Sequence, residues 1–190
     1  MSKESFLDEI FQEKFVFEKE ALNIEFIGCK FVRLDLIKFD FSGSSFLDCE
    51  FIHCNLSNTV FNSCSFQDVR FEESKLVGIV FSSIKTFLHS WTFKECKIEY
   101  CVFDEINIKG TVFGKCKLLN SSFLRTNLRE SDFSGTEFKN SVFKGCNLEL
   151  CDFTSAKSYY IDLTDNRVKK AKFSQPEVLS LLEGFDIVIE

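Results

Sequence analysis

Residues 31–61 of the chain read FVRLD LIKFD FSGSS FLDCE FIHCN LSNTV F, with a large apolar residue at the head of every block of five. The same phase runs from Phe26 to Phe81 and, after a slip of two residues, from Leu88 to Phe153, which makes 26 repeats. We call each of these apolar residues a repeat centre. An internal repeat of this regularity decides the fold before any local propensity does.

A period of five residues fits neither regular secondary structure. An α-helix turns about 100° per residue, so residues five apart drift around its axis. A β-strand alternates its side chains, so an odd period would send successive centres to opposite faces. The chain must therefore turn once in every repeat. The sequence predicts an all-β solenoid whose coils stack about 4.8 Å apart.

The position two residues before each centre shares the inward face and is small in most repeats. All nine cysteines take this position, at 29, 49, 54, 64, 96, 101, 116, 146 and 151. Asn or Asp often precedes the centre, as in Thr126-Asn127-Leu128-Arg129-Glu130 and Ser131-Asp132-Phe133-Ser134-Gly135. This A-[D/N]-L-x-x pattern resembles the pentapeptide-repeat family over about residues 22–157. The resemblance implies a right-handed quadrilateral β-helix with four pentads in each coil.

Folding the sequence at twenty residues per coil sorts the centres into four faces, numbered in chain order. Face 1 holds Phe26, Phe46, Phe66, Leu88, Ile108, Leu128 and Leu148. Face 2 holds Phe31, Phe51, Phe71, Phe93, Phe113, Phe133 and Phe153. Face 3 is mainly aliphatic, with Leu36, Leu56, Leu76, Ile98, Leu118 and Phe138. Face 4 holds Phe41, Phe61, Phe81, Phe103, Phe123 and Phe143. Coils spaced at strand distance would let the phenylalanines of one face stack in an offset arrangement.

The composition favours one soluble domain. The chain has 190 residues, a net charge of −6 and no apolar run near the length of a membrane span. The opening Met1-Ser2-Lys3-Glu4-Ser5 has no signal-peptide pattern, so we expect a cytoplasmic protein. The cysteines are odd in number and lack CxxC spacing, which favours buried reduced thiols over a disulfide scaffold, a metal cluster or a catalytic thiol.

Residues that could support catalysis are few. The chain has two histidines, His53 and His89, and neither has a partner at a spacing that would bring it close. Acidic pairs such as Glu72-Glu73 are better explained as outward charges, and no Gly-rich phosphate loop is present in the sequence. We therefore predict no enzyme, no cofactor and no metal site.

The repeat is interrupted at residues 82–92, where twelve residues instead of ten separate Phe81 from Phe93. Trp91, the one tryptophan, occupies a slot that in most other repeats takes Cys, Ser or Thr. Phe87, His89 and Trp91 could form a recognition patch for a partner. The alternative, which we favour, is a two-residue bulge that covers the side of the rod.

An open solenoid needs caps at both ends. Degenerate repeats extend the β-helix over residues 1–173 and include Phe6, Phe11, Val16, Ala21, Leu163, Val168 and Phe173. Residues 174–190 form a separate capping segment. There Ser174-Gln175-Pro176-Glu177 has the form of a capping box that opens a short helix, and residues 186–190 read as a short apolar strand.

The C-terminal segment resembles that of the Qnr-type pentapeptide-repeat proteins, in which a short helix and strand join two rods end to end. The resemblance implies a homodimer, and a simple monomeric cap is the alternative. The candidate interface residues are Val178, Leu181, Leu182, Phe185, Ile187, Val188 and Ile189.

Qnr-type proteins are understood to mimic duplex DNA and to bind type II topoisomerases, and some protect these enzymes from quinolones. The resemblance therefore implies DNA gyrase or topoisomerase IV as the partner, and an interaction scaffold with another protein partner is the alternative. Face 1 is the most acidic, and its candidate partner-binding residues are Glu25, Asp48, Asp68, Glu130 and Glu149. Residues 106–190 hold 11 acidic and 12 basic side chains, net +1, which argues against a strong DNA mimic. The overall negative charge disfavours direct nucleic-acid binding.

Overall fold

The computed structural model describes residues 4–12, 19–85, 90–185 and 187–188. Over these ranges the chain is a parallel β-solenoid of about 8 turns with one short C-terminal helix, as predicted. Every described repeat centre from Phe26 to Phe153 lies in the interior and is no more than 5% exposed. The five-residue phase therefore marks one continuous core.

Short parallel strands build the faces. Face 1 contains β1 (Ser5–Leu7), β3 (Glu25–Ile27), β5 (Ser45–Leu47) and β7 (Ser65–Gln67). Face 2 contains β2 (Ile10–Phe11), β4 (Lys30–Val32), β6 (Glu50–Ile52), β8 (Val69–Glu72), β10 (Trp91–Lys94), β12 (Val112–Gly114), β17 (Asp152–Phe153) and β18 (Lys172–Phe173). Face 3 contains β9 (Lys75–Val77), β11 (Lys97–Glu99), β13 (Lys117–Leu119) and β15 (Glu137–Lys139). Face 4 contains β14 (Ser122–Leu124) and β16 (Val142–Lys144).

The strand register confirms four pentads in each coil. Phe31 pairs with Phe51, and Phe51 pairs with Phe71, so each coil advances by twenty residues. Across the interruption Phe71 pairs with Phe93, an advance of twenty-two residues. The two extra residues are thus absorbed within one coil, and the stack continues without a break in its core.

Stacked aromatic ladders run along two faces. On face 2, rings from Phe11 to Phe173 stack in sequence with centroid distances of 4.5–5.2 Å. On face 4, Phe81, Phe103 and Phe123 stack at 4.5 and 4.7 Å. These distances follow from the coil spacing and suit offset stacking, as predicted. Burial of each such ring contributes roughly 1.5–3 kcal/mol before the loss of chain entropy.

The small inward position also satisfies backbone carbonyls. The Cys49 thiol donates to the Phe26 carbonyl at 3.4 Å, and the Thr59 hydroxyl donates to the Leu36 carbonyl at 2.8 Å. The Ser74 hydroxyl donates to the Phe51 carbonyl at 3.1 Å in the same geometry. Each of these acceptors lies 23 residues earlier in the chain. The position therefore most often takes Cys, Ser or Thr, which combine small volume with a donor.

Trp91 lies in the core, so its assignment to a surface recognition patch is wrong. It pairs with Val69 across the β8–β10 ladder and is only 1% exposed. Its indole packs against Phe66 and Phe81, with centroids 5.9 and 5.7 Å apart, and its Nε1–H donates to the Phe66 carbonyl at 3.3 Å. Burial of a large ring whose N–H finds an acceptor is favourable, and this explains why Trp91 points inward. A 3₁₀ turn at Phe81–Ser83 leads into the interruption.

Residues 86–89 lie outside the described ranges, and with them Phe87 and His89 of the predicted patch.

The degenerate repeats at both ends pack onto the coil, but on face 4 the buried Ile161, and not the predicted centre Leu163, pairs with Phe143. At the front, Phe6 pairs with Phe26 and Phe11 pairs with Phe31, whereas Val16 lies outside the described residues. At the back, the partly buried residues Leu163, Val168 and Phe173 pack against the core.

The C-terminal helix covers Glu177–Phe185 and is of the 3₁₀ type. The capping-box interpretation is wrong, because Ser174 and Glu177 cap the last coil instead of the helix. The Ser174 hydroxyl accepts a hydrogen bond from the Ser155 N–H at 2.9 Å, and the Glu177 carboxylate accepts one from the Ser158 N–H. These two acceptors satisfy N–H groups at the open edge of the solenoid, where no further coil follows.

The predicted strand over residues 186–190 is not present at Ile187 and Val188, which belong to no strand, and its other three residues lie outside the described ranges. A strand forms only when its backbone groups find a partner, and these residues pair with no described strand. Among the described residues, no helix has the length and apolar character needed to cross a bilayer.

Candidate functional site

The candidate site on face 1 lies along the corner at which the chain turns out of that face. The corner column consists of the residues two places after the face 1 centres: Asp8, Gly28, Asp48, Asp68, Ser90, Gly110, Glu130, Leu150 and Lys170. The N–H of Asp8 donates to the Ile27 carbonyl at 2.8 Å, and that of Asp48 donates to the Gln67 carbonyl at 3.0 Å. Equivalent bonds from the N–H groups of Gly28, Gly110, Glu130 and Leu150 stack these corners at about the strand spacing.

The N-terminal part of face 1 carries carboxylates with no counter-ion. Asp8, Glu25, Asp48 and Asp68 form no ion pair with any residue of the described ranges. Asp8, Asp48 and Asp68 are exposed, and Glu25 is half-buried. We call these four residues the acidic half. Sequence reasoning missed Asp8, although its place two residues after Phe6 would have shown it.

The C-terminal part of face 1 is different, because cations neutralise its carboxylates. Glu130 lies 3.0 Å from the Lys109 ammonium and 3.2 Å from the Arg129 guanidinium. Glu149 lies 2.8 Å from Arg167 and 3.9 Å from Arg129. The hydrogen bond from Lys109 lowers the pKa of Glu130 below its usual value.

This region also holds cations in excess of its carboxylates. Lys169 and Lys170 are exposed and form no ion pair within the described ranges. We call the set of Lys109, Arg129, Arg167, Lys169 and Lys170 the basic half. The five predicted carboxylates therefore lie on one face, but only Glu25, Asp48 and Asp68 belong to an acidic surface.

The residues most suited to catalysis or metal binding are dispersed or inaccessible. All nine cysteines are free and buried. Burial raises the pKa of the Cys49 thiol and of the Cys101 thiol to about 12, so neither is a ready nucleophile near neutral pH. His53 lies 3.6 Å from Glu73 in an exposed pair. Within the described ranges, no group of three His, Cys, Asp or Glu side chains could hold a metal ion.

The candidate dimer residues divide between the rod and solvent. Leu181 is 8% exposed and Val178 packs against the core, so these two hold the helix to the last coil. Phe185, Ile187 and Val188 are 48%, 55% and 88% exposed. Leu182 is half-buried, and Ile189 lies outside the described residues. The end of the rod thus presents apolar side chains to solvent.

The comparison with known sequences rests on the repeat itself. The sequence model of the pentapeptide repeat region matches residues 23–103, 44–123 and 86–153, which together cover most of the chain. The chain belongs to the pentapeptide-repeat family. A search of curated proteins finds no match.

Solved structures of another pentapeptide-repeat protein share this fold. Three are of QnrB1, described as a plasmid-mediated fluoroquinolone resistance protein. A trypsin-treated variant has a TM-score of 0.68 at 17% identity, covering 99% of this chain and 98% of that one. A second trypsin-treated variant has a TM-score of 0.56 at 18% identity, with coverage of 99% and 98%. Full-length QnrB1 has a TM-score of 0.55 at 18% identity, with coverage of 97% and 98%. At this identity the likeness concerns the fold alone.

Proposed function

We propose that this pentapeptide-repeat protein is a non-catalytic rod that mimics DNA and binds a basic groove of a protein partner through its acidic half. The observation that carries the proposal is the row of unpaired carboxylates on the corner of face 1. Carboxylates held by internal ion pairs, such as Glu130, are poor ligands for an external cation. Asp48 and Asp68 have no such ion pair within the described ranges, so they are free to bind a cationic side chain of a partner.

The spacing of these charges suits a surface built for nucleic acid. Asp48 and Asp68 lie one coil apart, or about 4.8 Å along the rod. Phosphates along one DNA strand rise by about 3.4 Å each, and DNA-binding surfaces meet them with Lys and Arg. The acidic half presents a short stretch of comparable negative charge, which a groove lined with Lys and Arg would bind. Binding of this origin is weakened by salt.

A type II topoisomerase, either DNA gyrase or topoisomerase IV, is the partner that we propose. The fold likeness to QnrB1, a fluoroquinolone resistance protein, supports this choice. Protection of the enzyme from quinolones is part of the proposal. Such a partner would place the protein in the cytoplasm.

We further propose that two rods join end to end through the C-terminal helix. The exposed apolar side chains of Phe185, Ile187 and Val188 support this, because a second copy would remove them from water. The dimer would place an acidic half at each far end of a two-fold symmetric particle.

The proposal is tested by titrating the purified protein into supercoiling and quinolone-cleavage assays with gyrase and topoisomerase IV. The test variant is the double reversal Asp48→Lys/Asp68→Lys. The corner tolerates lysine, since Lys115 adopts the same left-handed conformation, with φ +53°, as Asp48 and Asp68. We expect inhibition or drug protection by the parent protein and at least a tenfold loss in the variant.

The matched control is Asp35→Lys/Glu95→Lys, which changes the net charge equally but on other faces. Asp35 and Glu95 are exposed and form no ion pair in the described ranges. The control should act as the parent does. Equal loss in both double variants would show that net charge, and not face 1, is responsible.

A scaffold for another protein partner is the second candidate function. The neutralised C-terminal part of face 1 favours it, because a rod with ion pairs along half its length resembles DNA over a short stretch only. No effect of the folded parent protein on either topoisomerase would favour this function over the first.

A further inference from the structure

Aliphatic side chains lie beside the acidic half, in the column of residues one place after the face 1 centres. Leu7 pairs with Ile27 across β1 and β3, and Ile27 pairs with Leu47 across β3 and β5. Leu7 is 64% exposed, and Ile27 and Leu47 are half-buried. We call these three residues the apolar column. Because strand residues alternate and the centres point inward, the apolar column points out of the rod.

The fold does not require an aliphatic residue at this position. Gln67 continues the column, paired with Leu47, and it is exposed. In the C-terminal part of face 1 the equivalent residues are charged, namely Lys109, Arg129, Glu149 and Lys169. Among the described residues of this column, aliphatic side chains therefore occur only beside the acidic half.

The apolar column and the acidic half form one surface. Leu7 directly precedes Asp8 and Leu47 directly precedes Asp48, so the Cα atoms of each pair are about 3.8 Å apart. A partner that contacts the carboxylates must therefore also cover the aliphatic side chains. A groove lined only by Lys and Arg would lose hydration against Leu7 without gaining an ion pair there.

We propose that the apolar column determines the specificity of the acidic half, by docking on an aliphatic strip that borders the partner's basic groove. The occupant is a protein surface in which Leu, Ile or Val side chains lie directly beside Lys and Arg. This inference rests on the proposed function, because it concerns the same surface. A groove that binds only the phosphates of DNA lacks such a strip, so the apolar column separates the partner from other DNA-binding proteins.

Charge favours such a partner over a second copy of the chain. Two apolar columns can meet only if the carboxylates of Asp8 and Asp48 beside them also come close. Neither carboxylate forms an ion pair with a residue of the described ranges, so the two copies would repel each other. A basic surface with an aliphatic border gains ion pairs and apolar contact together.

Two labelled peptides test the inference with the full-length protein and without a topoisomerase. Both peptides carry the same lysines, and the residues between the lysines are leucine in one peptide and serine in the other. Fluorescence anisotropy at low salt measures the two dissociation constants. We expect the parent protein to bind the lysine–leucine peptide roughly tenfold more tightly, because binding removes exposed aliphatic surface from water.

The test variant is Leu7→Gln/Leu47→Gln, since Gln67 already occupies the same column. It should bind both peptides with the affinity that the parent shows for the lysine–serine peptide. The matched control is Val80→Gln/Val142→Gln, because these two residues of face 4 are each 49% exposed. The control should keep the parent's preference, and urea unfolding confirms that each variant is folded.

Titration of the lysine–leucine peptide at several salt concentrations separates the apolar contact from the charges. Loss of an apolar contact raises Kd by the same factor at every salt concentration, whereas loss of ion pairs reduces the slope of log Kd against log salt. Leu7→Gln/Leu47→Gln should therefore weaken binding with an unchanged slope. Asp48→Lys/Asp68→Lys should reduce the slope.

The outcomes distinguish this inference from the proposed function. Equal affinity of the parent for the two peptides, or a preference that survives in Leu7→Gln/Leu47→Gln, would overturn the inference and leave the proposed function intact. Unchanged binding of both peptides by Asp48→Lys/Asp68→Lys would contradict the proposed function, on which the inference rests. Binding of neither peptide by the folded parent would overturn both.

A second copy as the occupant would also overturn the inference. It would appear in light scattering as a parent dimer at about 0.5 M salt, where charge repulsion is screened, that Leu7→Gln/Leu47→Gln abolishes.

Discussion

At the scale of the residue, the inward cysteines show how one slot serves both packing and hydrogen bonding. The thiols of Cys54 and Cys64 donate to the carbonyls of Phe31 and Phe41 at 3.2 and 3.0 Å. Burial raises the pKa of the Cys54 thiol to about 11, so this thiol stays protonated near neutral pH. At Cys54 the slot therefore stabilises the thiol over the thiolate.

This preference predicts a loss of stability at alkaline pH. Burial raises the pKa of Cys49, Cys101 and Cys151 to about 12 in the folded protein, whereas an unfolded thiol titrates near 8.5–9. The unfolded chain thus releases protons first as the pH rises above about 9, and stability falls until the folded pKa is reached. We expect a loss of roughly 1 kcal/mol for each such thiol at pH 10, measured from urea unfolding at pH 8 and pH 10.

The variant Cys49→Ser/Cys101→Ser/Cys151→Ser separates the thiols from other alkaline effects. Serine fits the slot, since the Ser131 hydroxyl donates to the Ile108 carbonyl at 3.4 Å in the same geometry. The triple variant should lose less stability between pH 8 and pH 10. An unchanged loss would show that the thiols do not cause it.

At the scale of the element, the corner turn decides which side chains a coil can present. Corner residues adopt left-handed conformations, with φ near +53° at Asp48 and +62° at Gly28. A Cβ on Gly28 would lie 2.2 Å from the Asp8 carboxylate oxygen in the coil below. A side chain that lies over the corner of one coil therefore favours glycine at the same corner of the next coil.

The glycine pair Gly28 and Gly110 gives a direct test of this corner effect. A Cβ at Gly110 would have no heavy atom within 4 Å, although its φ of +75° is also left-handed. Gly110→Ala should lower the free energy of unfolding by about 1 kcal/mol, from backbone strain alone. Gly28→Ala should lower it by about 1 kcal/mol more, because the Asp8 side chain must move.

Urea unfolding measures the difference in free energy of unfolding between Gly28→Ala and Gly110→Ala. The substitution Asp8→Ala tests the cause of that difference. In an Asp8→Ala background, the extra cost of Gly28→Ala should vanish. A difference that persists without the Asp8 carboxylate would contradict this explanation.

At the scale of the whole molecule, the two ends of the rod differ. The first described coil carries the exposed acidic residues Glu4, Asp8 and Glu9, and like charges disfavour the stacking of two such open ends. The last coil is covered by the helix, which leaves Phe185 and Val188 in solvent. This difference between the ends supports the proposed association through the C-terminal helix.

The proposed end-to-end dimer predicts the effect of Phe185→Asp. A charge in an apolar contact loses its hydration, so the variant should be monomeric where the parent is a dimer. Light scattering after gel filtration measures this as a halving of mass. Tyr100→Asp, at a residue that is 59% exposed on the side of the rod, is the control and should keep the parent mass. A parent protein that is already monomeric at about 0.5 M salt would favour the monomeric cap.

Much of this fold could be predicted from sequence because a period of five admits one solution. Every described centre from Phe26 to Phe153 had to reach a common interior, and the twenty-residue sorting of phenylalanines set the ladders of faces 2 and 4. The buried cysteines followed from the same phase. These features depend on spacing along the chain, which the sequence contains directly.

Only the tertiary structure decided where side chains find their partners. The inward turn of Trp91 depends on the Phe66 carbonyl, and the use of Ser174 and Glu177 as caps depends on N–H groups of the preceding coil. The division of face 1 depends on ion pairs such as Lys109–Glu130, whose members lie 21 residues apart. A repeat determines which face a residue occupies, but stacking one coil on the next determines which charges remain unpaired there.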